Sequence, residues 1–564
     1  MKSDRPGKLV ILGLIAVMAV QCLFSVYWIR QKQNWFVDEL YSFRYANAFS
    51  VTTPPAVHYP RMEGWTSGTW LDAEELQDFL VVTEEESLLS DSPGDVFRAM
   101  FYGRNYMGIL NVAESIFSPG RMSPWIGLVI NMFFFVPGQF LLFFLMKGLR
   151  MKNACAFLAV VMYTFAAGTL SQMIFVRFYM LVSFLLICVF FLHWKIWSGK
   201  SIPKQLLFEA VSLILLYFAF RNSELTAVIG GTLVLAFSAA LLLRKRFVNF
   251  LIYFVPLMSA GIIFLSRKTI YLRALFHPEQ YSDAGMAILS DMTRSVMDMT
   301  PEIFRANLWR FLDQFRLIFF NSRPTARLFP VLLAAAVIGA AVGYARHGKI
   351  RGGESEEDAG RKTETGCREE LRYREPWAFA AVLGAVAAAY AVFLAFNGLD
   401  EHRYRFLVMV PVTVLIWFVL DRAMDYWKRP QIITAAAVAL IAVQAVLPFR
   451  TRWINFLFEY QRELTEDLRS MSDTDAVICD ADERNISRIY DCIVNTGRDA
   501  RICPLYGENE GFDWETCPEN VLVWVRHGAD IGMFTSLFPD GGCQAALLGQ
   551  DYLSDIYICV RTLE

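Results

Sequence analysis

Charge is scarce in this chain. Only 19% of its 564 residues are charged and the formal net charge is −2, so it lacks the basic surface that a nucleic-acid partner requires. Histidine is scarcer still, with 6 unclustered copies, and none of the 10 cysteines has the C-x-x-C spacing of a structural zinc site. No structural metal is expected. No small-residue cleavage site follows the first apolar stretch, which runs from Leu9 to about Ile29 after a short basic Met1 to Lys8. That stretch also exceeds the ~7–15 residues of a signal-peptide core, so it is expected to be a retained first span. Internal repeats are missing, and charges collect at the ends of apolar runs rather than in their middles. Both features argue against a transporter or flippase of a lipid-linked sugar or small solute.

What the chain has instead is apolar sequence in long runs. Hydrophobic residues make up 55%, with 47 Phe and 14 Trp. This composition and patterning predict a multi-pass protein of a cell membrane. Spans are expected near 9–29, 124–146, 154–172, 174–194, 205–221, 225–243, 248–266, 328–345, 377–396, 406–421 and 431–447. By the length criterion of about 20 apolar residues, that is about eleven crossings. With the N-terminus cytoplasmic, the inner loops carry Lys147/Arg150/Lys152, Lys195/Lys200/Lys204, Arg244/Lys245/Arg246 and Arg422/Lys428/Arg429. Each short inner loop is then basic, as the positive-inside rule asks. The polar segment 346–375 falls inside as a disordered linker.

Two long loops and a domain fall on the outer side. Loop 31–122 contains helical patterns at 71–80 and 95–101, expected to lie on the bilayer surface. Loop 267–327 has Leu308, Leu312, Phe315 and Phe319 at helical spacing and is expected to wall an outer-face cavity. Residues 1–448 thus form the membrane domain and 449–564 an extracytoplasmic α/β domain. The latter is expected to contain a helix at 453–468, strands at 476–480, 521–525 and 555–560, and a helix at 483–493. It holds Cys479, Cys492, Cys503, Cys517, Cys543 and Cys559, and the outer location is compatible with either bridges or buried thiols.

Three polar clusters share that outer side. Phe36 to Tyr45 places Asp38, Tyr41, Ser42 and Tyr45 on one helical face with Glu39 beside it. A carboxylate can take a proton from an incoming hydroxyl, and tyrosines can stack on a sugar ring. Arg177 and Tyr179 lie at the outer end of an early span, where an arginine is costly without a partner or function. Arg403 and Tyr404 sit in a short outer loop between late spans, with Glu401 or His402 as orienters of a phosphate-binding fork. Taken singly, the three have plain alternatives: a solvated acidic turn, a snorkelling arginine and a polar hairpin.

Together these residues resemble a family. An acidic pair in the first outer loop, an Arg-x-Tyr-x-Leu element at 177–181, an Arg-Tyr at 403–404 and an outer C-terminal domain are similar to the GT-C glycosyltransferases. The nearest likeness is to bacterial relatives of protein O-mannosyltransferases and of the lipid A aminoarabinose transferase. The resemblance implies a GT-C-like helical membrane domain. It also implies an inverting hexosyl- or pentosyltransferase, acting on the outer face without a nucleotide sugar. Its partners would be a polyprenyl-phosphate-linked sugar, the lipid bilayer and an acceptor glycan, lipid or protein. Asp38 would be the catalytic base, with Glu39 helping to orient the acceptor or a metal. Tyr41, Tyr45, Arg177, Tyr179, Arg403 and Tyr404 would bind substrate, with Arg221 and Lys268 as reserve phosphate ligands. A divalent cation (Mg or Mn) is compatible with the acidic pair but not required. One departure stands out: many relatives carry a His-Pro-Pro-Leu-Tyr-like run where this chain has Gly103-Arg-Asn-Tyr-Met-Gly-Ile-Leu110. A non-catalytic relative retaining the fold is a further alternative.

Overall fold

Helices dominate because the apolar runs are long enough to satisfy their own backbone hydrogen bonds without water. The computed structural model describes residues 7–47, 67–267, 299–320, 363–424, 430–479, 487–505 and 512–562, apart from isolated positions within them. Among the described residues seven helices are long and apolar enough to cross a membrane. They are Lys8–Gln31 (α1), Pro124–Gly148 (α6), Tyr179–Ser198 (α9), Ile202–Asn222 (α10), Thr226–Leu243 (α11), the Glu375–Phe396 part of α14, and the Thr434–Thr451 part of α17. Pro301–Phe320, in the expected 267–327 loop, is α13, helix α14 as a whole spans Thr363–Phe396 and α17 spans Pro430–Thr451.

The sequence count of crossings differs for identifiable reasons. The span expected at 154–172 is a broken pair, Asn153–Thr164 (α7) and Ala167–Met173 (α8), bent by 56°. Met409–Met424 (α16), at 16 residues, falls short of the apolar length, Phe247–Arg267 (α12) is one helix of 21 residues over the stretch expected at 248–266, and most of 328–345 lies outside the described residues. Part of the expected cytoplasmic linker is helical, since α14 begins at Thr363. Its Glu, Arg and Leu residues are good helix formers that continue directly into the apolar span.

The spans define two ends. Helix α9 starts beside Arg177 and ends at Ser198, and 20 residues at 1.5 Å rise cover about 30 Å, the thickness of a bilayer core. At its far end the basic loops meet one another. Arg246 donates to the Trp197 carbonyl at 3.1 Å and pairs with Glu375 at 3.3 Å, while Arg244 lies over the Trp197 ring.

At the near end the first loop folds into Val37–Asn47 (α2), Leu71–Asp72 (β1), Ala73–Asp78 (α3), Pro93–Tyr102 (α4) and Asn105–Phe117 (α5). The expectation of a bilayer-surface helix at 71–80 is corrected here. Leu71 and Asp72 pair antiparallel with Ile502 and Arg501, so β1 is an edge strand of the C-terminal sheet. Ala73, Leu76 and Leu80 bury their apolar face against Ile478, Ile489 and Ile493 rather than lipid.

That sheet has six strands in the order β1-β3-β2-β4-β6-β5. The strands are Ala476–Cys479 (β2), Arg501–Leu505 (β3), Asn520–Arg526 (β4), Cys543–Gln550 (β5) and Ser554–Arg561 (β6). Parallel β3-β2-β4 form its centre, with Ser487–Asn495 making the crossover helix between β2 and β3. The six cysteines of this domain are buried thiols, and all but Cys492 share one face of the sheet. Residues 453–468 are not one helix: the α-helix begins only at Arg462, after a 3₁₀ turn at Glu459–Gln461, and the link before it turns through left-handed backbone at Phe456 and Phe458.

Candidate active site

Residues from three distant parts of the chain meet at the near end of the bundle. Helix α2 presents Asp38, whose backbone carbonyl accepts from Arg177 Nη1 at 2.8 Å. The same Nη1 donates to Ser42 Oγ at 3.0 Å, and Arg177 Nη2 lies 3.8 Å from Asp38 Oδ1. The other carboxylate oxygen of Asp38 is paired with Arg403, carried on the short helix His402–Phe406 (α15). Asp38 is thus held between two guanidinium groups, each of them almost wholly withdrawn from solvent.

Local sequence explains why Arg177 reaches this point. The chain breaks between α8 and α9, freeing carbonyls that would otherwise be unpaired in an apolar bundle. Asn131 of α6 supplies the donor: its Nδ2 reaches the carbonyls of Gln172, Met173 and Phe175 at 3.1, 3.2 and 2.9 Å. Gly127, one turn earlier on α6, lets Val176 pack against the helix; a Cβ there would lie 2.5 Å from Val176 Cγ2.

Glu39 has a different position from Asp38. It is fully buried, and Lys32 Nζ donates to its two oxygens at 2.9 and 2.7 Å. The Val176 and Phe36 backbone N–H groups donate to the same carboxylate, each at 2.8 Å. Glu39 therefore ties α2 to the residue preceding Arg177 and has no oxygen left for an acceptor. Nor does the acidic pair fit a divalent cation. Glu39 is saturated by N–H donors and Asp38 by guanidinium groups, and among the described residues no three His, Cys, Asp or Glu converge.

Arg403 is shared between carboxylates and aromatic faces. Its Nε lies 2.5 Å from Glu401 Oε2, and its guanidinium carbon lies 5.4 Å from the Phe36 ring centre and 4.8 Å from that of Tyr404. Tyr404 is fixed through its carbonyl, which accepts from Tyr390 Oη at 3.0 Å. Tyr179 is buried against Phe175 and Phe178 and lies within electrostatic range of Arg177, Tyr390 and Tyr404. Two expected binders are placed elsewhere. Tyr41 exchanges a hydrogen bond with Ser487 at 3.0 Å and meets the Tyr490 ring edge-on, while Tyr45 packs beside Tyr41. They share the helical face of Asp38, but the C-terminal domain covers that part of it and takes up Tyr41 through Ser487 and Tyr490. Of the reserves, Arg221 ends α10 and Lys268 lies outside the described residues.

Two residues of this cluster escape sequence reasoning. Lys32, immediately after the first span, is signalled only by being a cation at a span's end. Tyr106 is buried, and its phenol is pushed up by burial and by the Glu39 charge, against the pull of Arg177. It lies in the stretch that replaces the His-Pro-Pro-Leu-Tyr-like run, so the departure keeps a tyrosine near the acidic pair.

Beside Arg403 opens a cavity of about 640 Å³, bounded by Phe36, His402 and the link 454–460. Phe456 and Phe458 in that link have φ of +68° and +53°. Left-handed backbone costs a bulky residue about 1–2 kcal/mol, so surrounding contacts must hold it. They are the hydrogen bonds Gln33 N to Leu457 O at 2.8 Å and Asn455 N to Ser171 Oγ at 3.0 Å, and Phe456 stacked on Phe175 at 3.9 Å.

Comparison with known proteins draws on structure alone. No protein-family model matches the sequence, and no curated protein matches it. Solved structures do. The chain is similar to ArnT from Cupriavidus metallidurans bound to undecaprenyl phosphate, with a TM-score of 0.52 and 11% identity over 96% of this chain and 97% of that one. It is also similar to ArnT from the same organism in the apo state, with a TM-score of 0.50 and 11% identity over 97% of each. From the first span to the last strand, the chain therefore has the fold of these structures: a GT-C-like polytopic helical domain carrying a C-terminal α/β domain.

Proposed function

We propose that this protein is a membrane glycosyltransferase. It moves a sugar from a polyprenyl-phosphate carrier to a hydroxyl acceptor on the outer face of the membrane. The observation that carries the proposal is the Asp38 carboxylate lodged between Arg177 and Arg403. Support comes from the fold shared with an ArnT structure that has undecaprenyl phosphate bound.

The site contains the groups such a transfer needs. Two planar guanidinium forks can each hold two phosphate oxygens, whereas an ammonium acts as a point charge. A carrier phosphate arriving at Arg177 and Arg403 competes with Asp38 for the same donors and releases the carboxylate. In the displacement, the anomeric carbon–oxygen bond to phosphate breaks and its electron pair goes to the phosphate. A bond from the acceptor oxygen forms, and the acceptor's proton passes to Asp38. The arginines neutralise the charge developing on the leaving group. A single displacement of this kind inverts the anomeric centre. Glu39 and Lys32 position Val176, and with it Arg177, and take no part in the proton transfer.

The same geometry supports one orientation. Asp38, Arg177, Arg403 and the C-terminal domain share one end of the bundle, while the basic loops gather at the other. With the basic end inside, the N-terminus is cytoplasmic and the site is extracytoplasmic. Purified protein given a carrier-linked sugar and candidate acceptors is expected to release free polyprenyl phosphate in step with glycosylated product. Movement of the lipid-linked sugar across a vesicle membrane without that release would point to transport and overturn the proposal.

A further inference from the structure

The cavity beside Arg403 has an aromatic lining that the transfer chemistry does not use. Its walls include Phe36, Glu401, Arg403, Phe456, Phe458 and Tyr460. Asp38 is not among them. The volume of about 640 Å³ sits within the ~300–1,000 Å³ range of small-molecule sites, and the lining mixes aromatic rings with the polar side chains of Glu401, His402, Arg403, Asn455 and Glu459. A pyranose or furanose ring matches that lining, since its C–H face packs on aromatic rings while its hydroxyls reach polar groups at the rim.

The backbone is bent to build this surface. Phe456 and Phe458 both adopt left-handed conformations, and the flanking hydrogen bonds to Gln33 and Ser171 hold them there. The Phe458 ring then lies 6.5 Å from Phe36 in a parallel arrangement and 5.1 Å from Tyr552. Left-handed backbone at bulky residues concentrates at ligand-contacting segments, and here it lines a cavity.

We infer that this cavity seats the sugar ring of the carrier-linked donor, with Phe458 and Tyr460 as its stacking surface. The inference rests on the carrier-dependent transfer reading above. Arg403 decides between donor and acceptor. It is both a wall of the cavity and a partner of Asp38, and a sugar is one bond from the phosphate that Arg403 would hold. An acceptor hydroxyl needs the Asp38 carboxylate, which the cavity does not expose.

The test is binding of two ligand classes to the full chain in one detergent preparation: bare polyprenyl phosphate and polyprenyl-phosphate-linked hexoses and pentoses. Tyr460 is 71% exposed, so Tyr460→Ala leaves the fold intact, and Phe458→Leu keeps apolar volume while removing the ring. Wild type is expected to bind some sugar-bearing carrier more tightly than bare carrier. Each variant should weaken that binding about threefold to tenfold and leave bare carrier unchanged. Wild-type preference retained by both variants would overturn this inference alone, as would a raised acceptor KM with donor affinity intact. Equal weakening of both ligands would also overturn it, by assigning the rings to the carrier. Wild type that binds neither carrier sinks the transfer reading and this inference with it.

Discussion

Replacing Asp38 by Asn tests the site most directly, because the geometry asks for two opposite effects from one substitution. Asn keeps the size of the side chain but loses both its basicity and its charge. Loss of a general base costs ~10²–10⁴-fold in rate, so single-turnover transfer should fall by about that factor. Carrier affinity should move the other way. On the proposed mechanism, Arg177 and Arg403, which pair with the Asp38 carboxylate, must give it up to take phosphate. A hydrogen bond to a charged group contributes about 1.5–3 kcal/mol, and sparing the ligand one such loss is worth about 10- to 100-fold in affinity. Asp38→Asn should therefore bind bare polyprenyl phosphate more tightly while transferring sugar more slowly. The assay pairs equilibrium binding with rapid-quench single turnover on the same preparation, with folding checked by thermal melting. Transfer at the wild-type rate would remove Asp38 as the base. Slow transfer with unchanged carrier affinity would keep the base but detach the two arginines from the phosphate.

Four other outcomes are expected. Arg403→Ala should weaken carrier binding by about tenfold or more and Arg403→Lys should recover only part of it, read as Kd for polyprenyl phosphate. Glu39→Gln should destabilise by about 3–5 kcal/mol by leaving Lys32 buried without its counter-charge, and adding Lys32→Met should restore much of the melting temperature. Burial, and then the neighbouring Asp551 carboxylate, raise the Asp491 carboxyl well above the usual carboxylate range, so the folded state holds a proton that the unfolded state has lost. That stability is complete below about pH 4 and declines as pH rises toward the folded value; Asp491→Asn should flatten the decline and raise the melting temperature at neutral pH. For orientation, an impermeant thiol reagent should label Leu547→Cys on intact cells and Leu243→Cys only after permeabilisation, both positions being exposed while the native thiols of the C-terminal domain are buried.

Long-range organisation was legible where one residue type determines the outcome. Apolar runs located most of the spans, because length and hydropathy decide membrane insertion with little help from tertiary contacts. Strands β2, β4 and β6 were legible as apolar runs of strand length. β3 was hidden by Pro504 and by its brevity, and β5 by its Gly549 and an alternation broken at Leu547-Leu548. β1 is only two residues long and exists because Arg501 and Ile502 offer an open edge, which no local pattern announces. The link 454–460 reads as helix from its apolar spacing. What overrides that spacing is tertiary: Leu457 is drawn to Gln33 and Phe456 to Phe175.

For the site, topology was the informative level and adjacency was misleading. Placing three polar clusters on one membrane face brought Asp38, Arg177 and Arg403 into one hypothesis, and their side chains meet. Reading Asp38 and Glu39 as a working pair fails for a reason set by helix geometry. Successive residues point about 100° apart, so two neighbouring carboxylates on a regular helix cannot converge on one ligand unless they are long and free to bend back. Asp38 turns toward the guanidinium groups. Glu39 turns into the bundle, where four hydrogen bonds from Lys32, Phe36 and Val176 satisfy it. The division has a chemical logic. A base must remain free to change protonation, which a fully bonded buried carboxylate cannot do, whereas a carboxylate held only by ions that a substrate can claim is released when that substrate arrives. On the proposed mechanism the second acid fixes where Arg177 stands, and the first is kept for the reaction.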